Sequence, residues 1–244
     1  MKKILLITAC TLFVTVLFAQ QDSTGTVKKK KIPVNLSGRS NDHFLLQLGL
    51  ANWAGKPDTI TTSGFSKSFN VYFMFDFPFK TNPKLSMAFG PGIASDHINF
   101  KKYYVGIKDQ TDVFQFINQG DTNHFKKTKL ATIWLEAPVE FRYTADPANN
   151  GKSFKFAIGL KVGTLIKAYT RYKDLEDKNG TGINGYTGKD YSKRFINSNR
   201  LSAMGRVGLG HFSLFGSYQI TTLLKDGRGA EMRPYSIGIT LSGL

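Results

Sequence analysis

The sequence predicts an all-β fold: an eight-stranded antiparallel up-and-down transmembrane β-barrel, with short periplasmic turns and long extracellular loops. Three observations predict it. From residue 43 onward, apolar residues recur at alternate positions in eight stretches, the pattern of strands with two unlike faces. The connections between those stretches alternate strictly between long and short. An apolar segment behind two lysines at the N-terminus reads as an export signal.

The N-terminus sets the compartment. Lys2 and Lys3 precede an apolar run from Ile4 to Phe18, and Phe18-Ala19 then meets Gln20-Gln21. Residues 1–19 are therefore expected to be a cleaved signal peptide. The run is shorter than a membrane helix, and nothing later approaches the roughly 18 consecutive apolar residues such a helix needs. Cys10 is the only cysteine. Ile7-Thr8-Ala9-Cys10 looks like a lipoprotein cleavage box, but too few apolar residues precede it, so Cys10 belongs to the discarded signal. The mature chain then has no thiol for a disulfide or a cysteine–metal site. Residues 20–42 are polar and contain Lys28-Lys29-Lys30-Lys31 and Pro33, which reads as a solvated periplasmic linker. The barrel is expected over 43–244.

The formal charge is +16, and losing Lys2 and Lys3 leaves +14. An exported chain does not meet nucleic acid. Outer-membrane lipid and phosphate-bearing lipopolysaccharide are the expected acidic neighbours.

The first stretch carries Phe44, Leu46, Leu48 and Leu50, and the second Phe69, Val71, Phe73, Phe75 and Phe77. The third carries Leu85, Met87, Phe89 and Ile93. The fourth alternates from Ala131 through Leu135 and Val139 to Tyr143, and the fifth from Phe154 through Leu160 to Ile166. The sixth carries Leu201, Ala203, Val207 and Leu209, the seventh Phe212, Leu214, Tyr218 and Ile220, and the eighth Tyr235, Ile237, Ile239 and Leu241.

The alternate positions are different in kind. Many are small, such as Gly49, Ala88, Gly92, Ala157, Gly159, Gly163 and Gly238. Others are charged: Asp76, Glu136, Glu140, Arg142, Lys161 and Arg206. The interior of an eight-stranded barrel is just wide enough for side chains to fill. Charges facing lipid would cost a few kcal/mol each near the midplane. The apolar face is thus expected outward and the polar face inward. A soluble barrel of lipocalin type would reverse this and would need a better-charged outer face.

A loop of roughly 15 residues follows the first stretch, and a turn around Lys80–Pro83 the second. Asn99–Lys127 is long, Asp146–Gly151 short, Lys173–Asn197 long, Gly210 nearly direct, and Lys225–Arg233 long again. An even strand number puts both ends of the barrel on the periplasmic side.

Trp134-Leu135-Glu136-Ala137-Pro138-Val139-Glu140-Phe141-Arg142-Tyr143 resembles the "LEIP" strand of the bacterial outer-membrane β-barrel domain family that includes PorT-like proteins, with Ala137 in place of isoleucine. The glycine-rich fifth stretch and a signal ending in Ala-Gln are similar as well. The resemblance spans 43–244 and implies fold and location. For most members it implies no defined activity, although PorT itself is tied to protein secretion.

Chemical motifs are sparse. Gly180-Thr-Gly182-Ile-Asn-Gly185 matches a dinucleotide fingerprint in letters only, because it lies in a polar loop rather than between a strand and a helix. Asp174, Asp177 and Asn179 lack the complete spacing of a calcium loop. Ser95-Asp96-His97 puts Ser95 and His97 on one face and Asp96 on the other. No catalytic, cofactor-binding or metal residues are assigned, and no cofactor is implied.

The function expected is that of a non-enzymatic, monomeric outer-membrane anchor or interaction scaffold that presents loops or a periplasmic tail to an envelope protein, linked to secretion or envelope integrity. The alternatives are a narrow porin-like channel and a lipid-modifying hydrolase. The site residues expected are a lumen charge network of Glu136, Glu140, Arg142, Lys161 and Arg206. A turn centred between Ala148 and Asn149 places Glu136 directly across from Lys161. Outward aromatics are expected at the membrane interfaces: Phe77, Phe79, Tyr143, Phe154 and Phe212 on the periplasmic side, Phe69 and Tyr235 on the outer side.

Overall fold

The computed structural model describes residues 43–62 and 65–243. The expected signal peptide and linker, 1–42, lie outside them. The first strands are β1 (Phe44–Ala54), β2 (Lys67–Phe73), β3 (Phe75–Pro78), β4 (Leu85–Phe89) and β5 (Gly92–Phe100). The short β6 (Tyr103–Val105) and β7 (Phe116–Asn118) follow, then the long β8 (His124–Thr144) and β9 (Phe154–Glu176). The chain closes with β10 (Gly182–Tyr191), β11 (Asn199–Leu209), β12 (Phe212–Gln219) and β13 (Arg233–Ser242).

Eight strands form a closed antiparallel ring in the order β1-β2-β5-β8-β9-β11-β12-β13, with β13 pairing back onto β1. β3 continues the line of β2 beyond Met74, and β4 continues that of β5 before Gly90-Pro91. The eight stretches read from the sequence are these eight staves. At Gly90 the backbone of β2 comes so close that a Cβ would collide with the Phe73 carbonyl, so the stave bends at a residue with no side chain. Gly210 has φ +58° and leads the two-residue reversal from β11 to β12, where a first position with positive φ suits glycine.

One end of the barrel carries the short turns 79–84, 145–153 and 210–211. The other end carries the long connections. There the structure adds order that the sequence pattern did not indicate. The loop after β1 spans 55–66, shorter than expected. β9 continues into the segment read as a polar loop and returns as β10, and β6 pairs with β7 inside the segment read as Asn99–Lys127. A barrel strand crosses a bilayer in about 9–11 residues; β8 has 21 and β9 has 23.

The outer wall is apolar over the staves. Leu48, Phe73, Phe89, Leu135, Val139, Leu160, Leu214 and Ile239 are all exposed. The inner side is divided. Towards the short turns it holds Gln47, Asn70, Glu136, Glu140, Lys161 and Arg206, all buried. Towards the long loops it holds an apolar cluster including Trp53, Ile98, Phe114, Leu130, Phe195 and Leu223.

Candidate functional site

The inner wall is built on one device: a large polar residue on one strand, a small one on the next. At a single level the register runs Tyr72, Gly92, Glu136, Gly163, Arg200 across β2, β5, β8, β9 and β11. The two glycines leave gaps over which their neighbours meet. A Cβ on Gly92 would strike the Tyr72 ring, and one on Gly163 would lie 3.0 Å from Glu136 Cγ and 3.3 Å from Arg200 Cγ. Through these gaps Tyr72 donates its hydroxyl hydrogen to Glu136 Oε2, and Arg200 donates to Glu136 Oε1 at 2.6 Å. Arg200 also donates to Asp96 at 2.8 Å, and its guanidinium lies 4.5 Å from the Trp134 ring centroid. Lys161 approaches from the adjacent level, with Nζ 3.7 Å from Glu136 Oε2 and 3.4 Å from the Tyr72 hydroxyl. Two carboxylates thus face two cations in a closed space. Burial alone would cost each ion several kcal/mol, so close pairing and extra hydrogen bonds are what make the arrangement tolerable.

A second cluster lies nearer the short turns. Glu140 Oε2 accepts from Arg142 Nε at 2.7 Å and from Arg206 at 2.8 Å. Arg142 reaches Asp76 at 3.6 Å, and Ser86 donates to Asp76 at 2.7 Å. Small residues again separate the partners: Ala88 lies between Asp76 and Glu140, and Ala157 between Arg142 and Arg206.

Glu136, Glu140, Arg142, Lys161 and Arg206 therefore all point inward, but in two groups rather than one. The expected pairing of Glu136 directly across from Lys161 is corrected. Glu136 opposes Gly163, and Lys161 opposes Pro138. The turn is centred between Asn149 and Asn150, one residue later than supposed. That moves the register by two, which preserves the face, and Lys161 reaches Glu136 diagonally. Arg200, Asp96 and Tyr72 were missed as members. Tyr72 lies on the inward face within the second stretch, Asp96 keeps the inward parity of Ala88 three residues past the third, and Arg200 precedes the sixth by one residue, so following the inward parity through and just beyond each stretch would have found them.

The remaining lumen is narrow. A space of about 30 Å³ above the Glu136 cluster, bordered by Ser68, Asp96, Lys161 and Arg200, has room for a water or two. Another of about 10 Å³ lies beside Arg142, Lys155 and Arg206. On the opposite wall Phe215 packs against Gly49, and Gln47 bridges Asn70 and Thr240 through hydrogen bonds of 3.2 Å each.

Over the long-loop end lies a folded cap. Phe114 stacks on Phe195 with centroids 5.1 Å apart, Tyr172 donates to the Val105 carbonyl at 2.6 Å, and the Phe114 amide donates to Arg228 O at 2.8 Å. Tyr103 donates to the Thr59 carbonyl at 2.6 Å. All four long connections are joined this way.

The seven aromatics expected at interfaces lie on the outer wall. Phe77 and Phe79 flank the first short turn, Tyr143 and Phe154 the second, and Phe212 the third, while Phe69 and Tyr235 lie towards the long loops. All but Tyr143 and Tyr235 are exposed, and those two are half-buried.

Ser95 and His97 also face outward, with Ser95 Oγ 2.7 Å from His97 Nε2. The third member has the wrong polarity for a hydrolase. Lys129 Nζ lies 3.0 Å from His97 Nδ1, and an ammonium can only donate. Nδ1 must then accept, and the ring proton sits on Nε2, pointing at Ser95. A general base needs the opposite arrangement. Asp96 is turned inward to Arg200. The Gly180–Gly185 segment forms the exposed tip of the β9–β10 hairpin, where Asp177 Oδ1 accepts from the Asn179 and Thr181 amides.

The outer membrane protein beta-barrel domain model matches residues 18–222 of this chain. No curated protein matches it. Among solved structures it is similar to the crystal structure of Ail, the attachment invasion locus protein of Yersinia pestis. The identity is 13%, 82% of this chain and 95% of that chain are covered, and the TM-score is 0.35.

Proposed function

We propose, given that the chain belongs to the outer membrane protein beta-barrel domain family, that it is a sealed, non-enzymatic anchor whose capped end presents a rigid surface to an envelope protein. The chain lies in the bacterial outer membrane, and the general architecture of such barrels puts its short turns in the periplasm and its long loops outside. The observation that carries the reading is the filled lumen, closed by two ion clusters and, above them, by the apolar cap. A porin-like channel would need continuous aqueous space, and the spaces found hold a water or two. The polarity of the Ser95–His97–Lys129 contact speaks against the hydrolase. The eight staves close on themselves through the β13–β1 and β8–β9 pairings, which supports a monomer. The outward aromatics act as headgroup anchors in this reading. The Leu135–Arg142 motif supports a place among the PorT-like members, and with it a link to secretion or envelope integrity.

Planar-bilayer recording of the purified full chain tests the seal: no single-channel steps are expected, and stable steps that pass small solutes would overturn it. A photocrosslinking residue at Tyr186, exposed on the β9–β10 hairpin, should capture one envelope protein in intact cells. The same residue placed at the lipid-facing Leu160 should capture none.

A further inference from the structure

Where β5, β8 and β9 leave the apolar belt, the outer wall carries a row of cations. Lys67 on β2 opposes His97 on β5, Lys129 on β8 opposes Arg171 on β9, and Arg171 opposes Lys189 on β10. His97 joins the two halves through its 3.0 Å contact with Lys129. Like charges directly opposite on neighbouring strands destabilise a sheet, yet this row is unbalanced. Among the described residues none of Lys67, Lys129, Arg171 or Lys189 forms an ion pair. The carboxylates farther along β9 are taken, Asp174 by Lys173 and Glu176 by Lys126. Arg171 Nε is buried with no acceptor among the described residues. Partial burial, then the crowding of Arg171, Lys189 and Lys67, holds the Lys129 ammonium below its ordinary pKa.

Directly beside this row, on the lipid side, is an apolar groove of about 720 Å³. Leu48, Leu50, Phe65, Phe69, Ile237 and Ile239 form its walls, and Lys67 and His97 stand at its upper rim. Cations at the membrane surface directly above an apolar groove match one kind of molecule: a headgroup bearing phosphate, on acyl chains lying along the wall.

We propose that this face is a binding site for a phosphorylated, acylated lipid of the outer leaflet, with phosphate on the Lys67–Lys129–Arg171–Lys189 row and an acyl chain in the groove beneath Lys67. The bound phosphate supplies the anion that the row lacks. The inference rests on the outer-membrane placement and is independent of the anchor role, so each can fail while the other stands.

The test is native mass spectrometry of the full chain in detergent, titrated with bisphosphorylated hexa-acyl lipid A, with the same lipid A after phosphatase treatment, and with inorganic phosphate. The parent chain is expected to prefer the phosphorylated lipid over both. A cation near a membrane surface contributes about fivefold to the affinity for an anionic lipid, so Lys129→Gln/Arg171→Gln should weaken lipid A binding by about 25-fold. Lys80→Gln/Lys84→Gln, at the periplasmic turn, should leave it unchanged. Lys67→Gln/Lys189→Gln, at exposed positions, serves as a second test should the first double variant fail to fold. Equal binding of phosphorylated and dephosphorylated lipid would overturn the phosphate assignment. Inorganic phosphate binding as tightly as lipid A would overturn the lipid assignment. Unchanged affinity in the folded row variants would overturn the site.

Discussion

Between Ile133 and Tyr143, β8 turns Leu135, Val139 and Phe141 outward and Glu136, Glu140 and Arg142 inward. A few residues earlier the same strand does the opposite: Lys127 and Lys129 face out, and Leu130 is buried inside with Trp134. β9 makes the same change where Ile166 gives way to Lys167, Tyr169 and Arg171, at the register irregularity opposite Ile133 and Trp134. The rule that apolar groups leave water holds in both halves. In the belt the outside is lipid, so the lumen becomes the place for polar groups, while above the belt the outside is water and the ordinary order returns. The point of reversal marks the membrane surface, and it coincides with the row of cations.

The largest expected effect tests the belt half. Glu136→Ala removes the acceptor shared by Tyr72, Arg200 and Lys161, leaving two buried cations to one carboxylate. Breaking a buried pair from one side costs about 3–5 kcal/mol. Equilibrium unfolding in phospholipid vesicles, followed by the fluorescence of Trp134 beside Arg200, should show it. A loss below about 1 kcal/mol, the range of a solvent-exposed pair, would mean that the lumen is wet and would break the comparison.

A smaller effect locates the boundary itself. Leu160 sits mid-belt on the lipid side, opposite Val139. Leu160→Arg should cost about 2–4 kcal/mol in the same assay, and Tyr169→Arg, beyond the reversal, about 0–1 kcal/mol. Equal costs would show that the change of polarity along β9 is not the membrane surface.

Gly163→Ala sharpens the account of the inner wall. The added Cβ would lie 3.0 Å from Glu136 Cγ, 3.2 Å from the Leu135 carbonyl and 3.3 Å from Arg200 Cγ, close enough to force small shifts in the Glu136–Arg200 contact. A cost of about 1 kcal/mol is expected. Gly216, whose Cβ would meet nothing within 4 Å, should tolerate alanine with a smaller loss.

The staves were legible because lipid on one side and a crowded lumen on the other impose opposite demands on alternate residues. Val139 and Glu140 could not exchange faces without exposing a charge to lipid. The cap was not legible for the same reason. In residues 101–123 the chain runs through water, no two-sided environment enforces alternation, and Val105, Ile107, Phe114 and Phe116 fall at irregular spacings. β10, exposed on most of its length, has no buried face to leave a trace. The lumen cluster was legible in its charges but not in its register, because turn length decides which residues oppose. Arg200 was hidden by its place at the start of a stave, before the apolar alternation begins.

The smallest expected effect belongs to the cap and is a matter of pH. Tyr104 stacks on Tyr172 at 5.9 Å and donates to Asp109 at 2.7 Å. Burial first, and then the hydrogen bond and charge of Asp109, push its pKa up to about 12 from an ordinary 10.0. A group whose folded pKa is raised adds stability that is complete below its unfolded value and is lost as pH climbs through the folded one. The Tyr104 contribution should therefore be intact below pH 10 and fade between 10 and about 12. The difference in tyrosinate absorbance between the parent chain and Tyr104→Phe isolates this one residue, and its midpoint should lie near 12. Asp109→Asn removes the charge but keeps an acceptor, so it should bring the midpoint down while leaving the stacking in place. A difference titration centred at the ordinary value would mean that Tyr104 is open to water, and that the cap is not the packed layer on which the contrast with the belt depends.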